Sequence, residues 1–317
     1  MTEKYDFIVL GGGGTGLAAA MYAARLDMKT LVLGHSHGTE LPIGGVITTT
    51  HIVENYPGFI KLSGHELAKK LEEHARAYPL VTIKDEKAIE IKKTKDGFSV
   101  KTKKAEYLGK TILFATGTKW KKLEGVKGSE EFANKGVSYC ALCDGPLFRN
   151  KTIAVVGGSD SAAKDALLLA EYGKKVYIIY RGEEIHPEPI NFDRIKKNKK
   201  IEIINNANIK EIKGKEFVES VVLDKPYKGS KELKLDGVFV AIGHIALSEL
   251  ANPLGVKLNQ KGEIIINHAT SETNVPGIYA AGDVTDQPFK QLITGVADGC
   301  VAAYSAYQHI KKEKIMP

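Results

Sequence analysis

The chain opens on a short run that is apolar at every position, Phe7-Ile-Val-Leu10, with charged residues before it and glycines after it. Uninterrupted runs of this kind predict strands covered on both faces, as in a parallel sheet. The pattern returns at Leu31-Val-Leu33, Ile112-Leu-Phe-Ala115, Thr152–Val156, Val176–Tyr180 and Val238-Phe-Val-Ala-Ile242. Helix-forming stretches, Leu17–Leu26 and one closing at Glu171, follow two of these strands, and Val296–Tyr307 reads as an apolar helix. Two segments, Ala88–Ala105 and Ile201–Leu235, switch to short alternating strands. A repeated strand–turn–helix–strand unit with such inserts predicts an α/β protein of two nested Rossmann-like dinucleotide-binding domains. Each should have a three-layer ββα-type core and a small antiparallel β insert. The expected boundaries are 1–116 with 247–317 for the first domain, and 117–246 for the second.

The turns sharpen this reading. Gly11-Gly-Gly-Gly-Thr-Gly16 matches G-x-G-x-x-G between a strand and a helix. Gly11 permits the tight turn, Gly13 lets a pyrophosphate approach the backbone, and Gly16 lets the helix sit close to the strand. Free N–H groups at the helix start then hold the phosphates. The second copy is Gly157-Gly158-Ser159-Asp160-Ser161-Ala162. Ala162 keeps the close packing, but Ser159 stands where the middle glycine belongs and a pyrophosphate should approach. This copy carries the fold signal without the full cofactor signal.

A length of 317 residues suits two domains, and 43% hydrophobic with 26% charged residues excludes a disordered chain. The longest apolar runs fall far below the roughly 18–20 residues that span a bilayer. Met1-Thr-Glu-Lys-Tyr-Asp6 has no signal-peptide character, so a cytoplasmic protein without membrane contact is expected. The balance of 45 basic and 38 acidic residues gives a net charge of +7. Lys196-Lys-Asn-Lys-Lys200 could suggest nucleic acid, but no aromatic residues interleave and arginine is scarce. These lysines read as a solvated surface with no nucleic-acid partner, although a positive face could favour an acidic protein.

Three cysteines are too few for a disulfide scaffold. Two of them form Cys140-Ala-Leu-Cys143, followed at once by Asp144. Beside βαβ units this spacing reads as a redox dithiol, and a helix N-terminus next to it would lower one thiol's pKa. Asp144 is placed to hand a proton to a departing thiolate. Half of a zinc site is the alternative. It needs a second ligand pair, and the remaining Cys300 has no His near it in sequence, so no metal is expected. Cys300 itself reads as a packing residue.

Taken in order, Gly11–Gly16, Val53-Glu-Asn-Tyr-Pro-Gly58, Ala115-Thr-Gly117, Ser138–Gly145, Gly157–Ala162, Ala241-Ile-Gly-His244 and Thr273–Asp283 span nearly the whole chain. Together they closely resemble the low-molecular-weight thioredoxin reductases, FAD-dependent pyridine nucleotide-disulfide oxidoreductases. The resemblance implies a homodimer in which an FAD domain is split around a nicotinamide-nucleotide domain carrying the disulfide. It implies that Gly11, Gly13, Gly14, Thr15 and Gly16 hold the FAD pyrophosphate. Gly282 and Asp283 should bind the ribityl chain or phosphates. Thr48, Asn55, Gln291 and the Leu292 backbone should lie near the isoalloxazine ring, with Gly45, Thr116 and Gly117 also at the cofactor. Cys143 is then the flavin's partner, and Cys140 the attacker of the substrate disulfide.

The chain departs from the family pattern in three places. Gly34 and His35 follow the second strand where an acid usually binds the adenosine ribose, leaving Glu40 as a candidate. Val46 replaces the usual Gln after Gly44-Gly45. Most consequentially, Tyr180-Arg-Gly-Glu-Glu-Ile-His186 replaces the arginine-rich clamp for the NADPH 2′-phosphate. Only Arg181 remains there, and Glu183 and Glu184 would repel a phosphate, although an acid can bond a free ribose 2′-OH. A nicotinamide site of Gly157, Gly158, Ser159, Ser161, Ala162 and Arg181 therefore argues against ordinary NADPH use. Gly182→Arg with His186→Arg is expected to improve NADPH only if the pyrophosphate loop still functions. The expected activity is reduction of thioredoxin or a glutaredoxin-like protein. The donor is then NAD(P)H or, in the alternative, reduced ferredoxin or a deazaflavin. A non-catalytic flavin redox sensor is the rival of another class, which Asp144 beside the dithiol disfavours.

Overall fold

The computed structural model describes residues 3–35 and 41–315. The chain divides into two compact units, Met1–Lys119 with Ile245–Pro317, and Trp120–His244. In the first unit β1 (Glu3–Leu10) runs into α1 (Gly14–Arg25), β2 (Thr30–His35), α2 (Gly64–Arg76) and β3 (Val81–Lys87). Then come β4 (Glu90–Thr94), β5 (Gly97–Lys101) and β6 (Glu106–Phe114), and the chain leaves through β7 (Thr118–Trp120). The second unit begins with β8 (Val137–Ser138), α3 (Ala141–Asp144), β9 (Thr152–Val156), α4 (Asp160–Tyr172) and β10 (Lys175–Ile179). It continues with α5 (Pro189–Lys197), β11 (Ile201–Ile204), β12 (Ile209–Gly214), β13 (Val218–Tyr227), β14 (Ser230–Lys234) and β15 (Gly237–Val240). After β16 (His244–Ala246), the first unit is completed by β17 (Ile278–Ala280) and α6 (Leu292–Ile315).

The first unit's sheet runs β3-β2-β1-β6 in parallel. The far edge of β6 is shared: β5 pairs antiparallel with Glu106–Gly109, and β17 pairs parallel with Ile112–Phe114. Alternation along β1 sends Phe7 and Val9 to one face, among Ala19, Ala20, Ala23 and Ala302 of α1 and α6. Ile8 and Leu10 go to the other face, among Val100, Tyr107 and Ile112. Both faces are buried, which explains why β1 is apolar without interruption. Each such Ile or Leu contributes about 1.5–3 kcal/mol by leaving water, so Ile8→Asp would break this layer.

The second unit repeats the scheme with a parallel sheet ordered β11-β10-β9-β15-β8. On one face α4 buries Ala162, Ala166 and Leu169 against Ile153, Val155, Val176 and Ile178. On the other, Ala154, Ile179 and Val238 meet Ile209, Ile212 and Val221 from the antiparallel sheet β12-β13-β14. The two nested three-layer α/β domains expected from the strand pattern are the observed architecture. Among the described residues no helix is long and apolar enough to cross a membrane.

Candidate active site

In the second unit Cys140 and Cys143 form a disulfide, with their Cα atoms 5.3 Å apart. The chain leaves β8 at Ser138 and enters the single turn of α3 with Cys140 at its N-cap. Ala141, buried with Ala162 and Ala166 of α4, anchors that turn. The Cys143 N–H donates to Cys140 Sγ at 3.2 Å. A backbone donor is thus aimed at the Cys140 sulfur. Cys140 is half-buried and Cys143 is exposed. Asp144 Oδ2 accepts from Ser138 Oγ at 2.6 Å, and that same hydroxyl accepts the Cys140 N–H at 3.1 Å. Ser138 was visible in the cysteine motif, but its two bonds depend on how the chain turns out of β8. Cys300, in α6, is half-buried, and burial pushes its thiol pKa up.

The first unit carries a cradle whose shape fits a dinucleotide phosphate. Gly11 has φ +111°, and a Cβ there would stand 2.3 Å from the Ala115 carbonyl oxygen. At Gly16 it would stand 2.0 Å from Gly11 O. Gly13 differs, because a Cβ would meet nothing closer than Gly44 O at 3.8 Å, leaving its backbone open to approach. Helix α1 starts there with no side-chain cap and no acid in its first turn, the polarity that suits an anion.

The other residues implied for FAD converge on this turn. Gly13 bridges Gly44, and a Cβ on Gly45 would lie 3.1 Å from Gly13 Cα. Thr48 Oγ1 donates to Gly45 O at 2.7 Å. Thr15 Oγ1 would lie 2.6 Å from a Cβ on Gly282, and Leu292 Cδ1 2.5 Å from one on Gly14. Asn55 Nδ2 donates to Gln291 Oε1 at 3.0 Å across 236 residues of sequence. Thr116 instead spends its hydroxyl on Leu247 O at 2.6 Å, while Gly117 takes φ +64°. Sequence reasoning missed Lys290. Its Nζ donates to the carbonyls of Asp283 at 2.8 Å and Thr285 at 2.5 Å and pairs with Glu263 at 2.9 Å. It thereby fastens the turn that carries Asp283.

Glu40, the candidate for the adenosine ribose, lies outside the described residues. A side chain at Gly34 would meet Ile43 at 2.8 Å and Lys84 O at 3.1 Å, so no acid fits there. Among the described residues, Asp85 lies beside the end of β2, with its Oδ1 3.0 Å from His35 Nε2.

The second glycine turn is filled differently. Gly157 keeps the tight turn at φ +147°, with a Cβ position 2.2 Å from Ala241 O and 3.1 Å from the Ala162 methyl. The Tyr180 ring lies across the next glycine and across Gly182. Added Cβ atoms would stand 2.4 Å from it at Gly158 and 2.6 Å at Gly182. The His186 N–H donates to Gly158 O at 2.7 Å, and His186 Nδ1 lies 3.4 Å from the Tyr180 hydroxyl. Ser159 caps α4 without a side-chain bond, and Ser161 is exposed. Asp160 opens that helix, bound by Lys164 at 2.7 Å, Asn191 at 2.8 Å and the Glu188 N–H at 3.0 Å. Burial opposes its ionisation, yet these partners hold its carboxyl below the usual range. Arg181, Glu183 and Glu184 are exposed. An arginine stem at 182, as in the Gly182→Arg with His186→Arg pair, would have to displace the Tyr180 ring.

Residues 5–302 match the pyridine nucleotide-disulphide oxidoreductases. The chain belongs to this family. The oxidoreductase is 37% identical over 321 residues to a thioredoxin reductase of Bacillus subtilis, spanning 98% of this chain and 97% of the relative. It is similar to the crystal structure of T. acidophilum thioredoxin reductase, with 38% identity, a TM-score of 0.90 and coverage of 98% and 99% of the two chains. A ferredoxin-flavin thioredoxin reductase from Clostridium acetobutylicum matches at 31% identity and a TM-score of 0.52, covering 98% of this chain and 100% of that one. The family relationship identifies FAD as the cofactor and the enzyme as an oxidoreductase acting on a sulfur group.

Proposed function

We propose that this oxidoreductase reduces the disulfide of thioredoxin or a glutaredoxin-like protein, passing electrons from a donor through FAD and Cys140–Cys143. The observation that carries this reading is the disulfide itself, with an N–H on Cys140 Sγ and the Asp144 carboxylate beside it. FAD would be held at Gly11–Gly16, Asp283 and the Asn55–Gln291 pair, and would supply the two electrons that open the disulfide. Cys143 is assigned as the flavin's partner, and Cys140 is released as the thiolate that its backbone donor stabilises. That thiolate attacks one sulfur of the partner, and Asp144 protonates the sulfur that departs. Cys143 then attacks Cys140, which restores the enzyme disulfide and frees the second partner thiol. Cys140→Ser and Cys143→Ser should each abolish turnover while dithionite still reduces the flavin. Steady-state turnover with thioredoxin also separates this reading from a redox sensor.

The donor reading follows from the second glycine turn, which is poorly suited to NADPH. A lost charged phosphate contact costs roughly 1.5–3 kcal/mol, so two weaken NADPH by about 10²–10⁴-fold relative to a reductase that keeps them. Asp160 adds negative charge at the helix start, and NADH should serve no worse than NADPH. Reduced ferredoxin or a deazaflavin is the second reading. It is favoured by the Tyr180 ring on Gly158 and by the likeness to a ferredoxin-flavin enzyme. Anaerobic flavin reduction with NADH, NADPH, reduced ferredoxin and a reduced deazaflavin in turn tests both. Rapid reduction by micromolar NADPH would overturn the donor reading. The enzyme is further proposed to be a cytoplasmic homodimer. Exposed Tyr22 and Tyr304, on helices α1 and α6, support a contact between copies, and sedimentation would test it.

A further inference from the structure

Ser138 closes β8 with only 5% of its surface exposed, in parallel register with Phe239 of β15. Its hydroxyl touches both halves of the redox turn, accepting from the Cys140 N–H at 3.1 Å and donating to Asp144 Oδ2 at 2.6 Å. The Cys140 carbonyl lies 3.5 Å away, at the limit of bonding distance, as a second acceptor. The hydroxyl is therefore referenced to the sheet rather than to the turn that carries the cysteines.

We infer that Ser138 is a positioning residue that holds the Asp144 carboxyl for proton transfer during exchange. This rests on the disulfide-reductase reading above. A hydroxyl carries one proton, which it can rotate, and it can accept at the same time. With Asp144 ionised, that proton points at Oδ2. With Asp144 protonated on Oδ1, the same hydroxyl proton still points at Oδ2. The carboxyl keeps one fixed partner in both states. Oδ1, which takes no protein hydrogen bond among the described residues, is left to exchange a proton with sulfur. In the balanced step, Cys140 thiolate bonds to one partner sulfur, the partner's S–S bond breaks, and the departing thiolate takes its proton from Asp144. Attack by Cys143 on Cys140 then completes a two-electron transfer. The Cys140 N–H bond alone would satisfy a buried donor and give no reason for Ser138 to reach the acid.

The test is single-turnover mixing of dithionite-reduced holoenzyme with oxidised thioredoxin for Ser138→Ala, Ser138→Thr, Asp144→Asn and the Ser138→Ala/Asp144→Asn pair. Ser138→Ala should slow exchange about 10-fold, part of the roughly 10²-fold expected for a lost acid. The loss should fall on the rate constant and not on the thioredoxin KM, with flavin content unchanged. Ser138→Thr, which keeps the hydroxyl, should restore the rate. Residues acting through one group are non-additive, so Ser138→Ala should add less than about twofold in the Asp144→Asn background. A full additional loss there, or a wild-type rate in Ser138→Ala while Asp144→Asn is slow, overturns the inference alone. A wild-type rate in Asp144→Asn overturns the proton-transfer role of Asp144 and this inference with it.

Discussion

Gly182→Arg is the substitution that would ordinarily rebuild a 2′-phosphate clamp, and here it should damage the second unit without improving NADPH use. An added Cβ would stand 2.6 Å from Tyr180 Cε1 and 2.9 Å from Cζ. The ring's other edge faces Gly158, where a Cβ would stand 2.4 Å away, so the new side chain has to push the ring out of its place against that glycine. Overpacking of this kind typically costs about 1–3 kcal/mol. At roughly 2–4 °C per kcal/mol, Tm should fall by about 2–12 °C. Pairing it with Tyr180→Ala removes the obstruction and lets one guanidinium reach a phosphate. One charged contact, worth about 1.5–3 kcal/mol, should then improve NADPH roughly 10–150-fold over Tyr180→Ala alone. Thermal melting and anaerobic flavin reduction by NADPH, followed by absorbance, measure both effects. A tenfold gain from Gly182→Arg alone, at unchanged Tm, would refute the reasoning about the ring.

Asp144→Asn should retain flavin and slow exchange by roughly 10²-fold, the scale for a lost general acid, read by rapid mixing with oxidised thioredoxin. Gly13→Val, at the open glycine of the first turn, should lower FAD content without unfolding the chain, as flavin absorbance per protein and circular dichroism would report. Lys290→Met, which releases the carbonyls of Asp283 and Thr285, should weaken FAD retention on dialysis, and unchanged retention would remove Lys290 from the cradle. In the second unit, hydrogen bonds from Lys175, Lys228 and Tyr227 pull the Glu202 carboxyl down to about 2. Because the folded value lies below the ordinary one of about 4.3, this stabilisation is present above that value and is lost as pH falls toward about 2. Wild type and Glu202→Gln should therefore differ in Tm near neutral pH and converge in acid, and a constant difference would contradict the assignment.

The parallel sheets were legible because strands buried on both faces must be apolar without interruption, as Phe7–Leu10 and residues 153–156 are. The first phosphate turn was legible in part because Gly16 answers to Gly11 O within the motif itself, whereas Gly11 answers to Ala115 far along the chain. Contacts made far along the chain left no local mark. Nothing around Asn55 announces its bond to Gln291, and that pair came from family likeness. Lys290 looked like one lysine among many until its three oxygen partners gathered around it. At the second turn, charge counting exposed the missing clamp. It could not show that Gly182 is needed by a tyrosine ring two residues earlier, because that requires the side-chain direction at the end of β10. Ser138 is similar: its position in the motif was plain, while its reach to Asp144 depends on the turn of α3.

The central claim is that electrons leave the flavin through Cys140–Cys143 for a thioredoxin disulfide. The most direct test reduces the holoenzyme stoichiometrically with dithionite under strict anaerobiosis and mixes it with oxidised thioredoxin while flavin absorbance and new thioredoxin thiols are followed. Flavin colour should return as two thioredoxin thiols appear for every two electrons that dithionite delivered, and Cys140→Ser should show neither change. Recovery of flavin colour and thiols at the wild-type rate in Cys140→Ser would contradict the account.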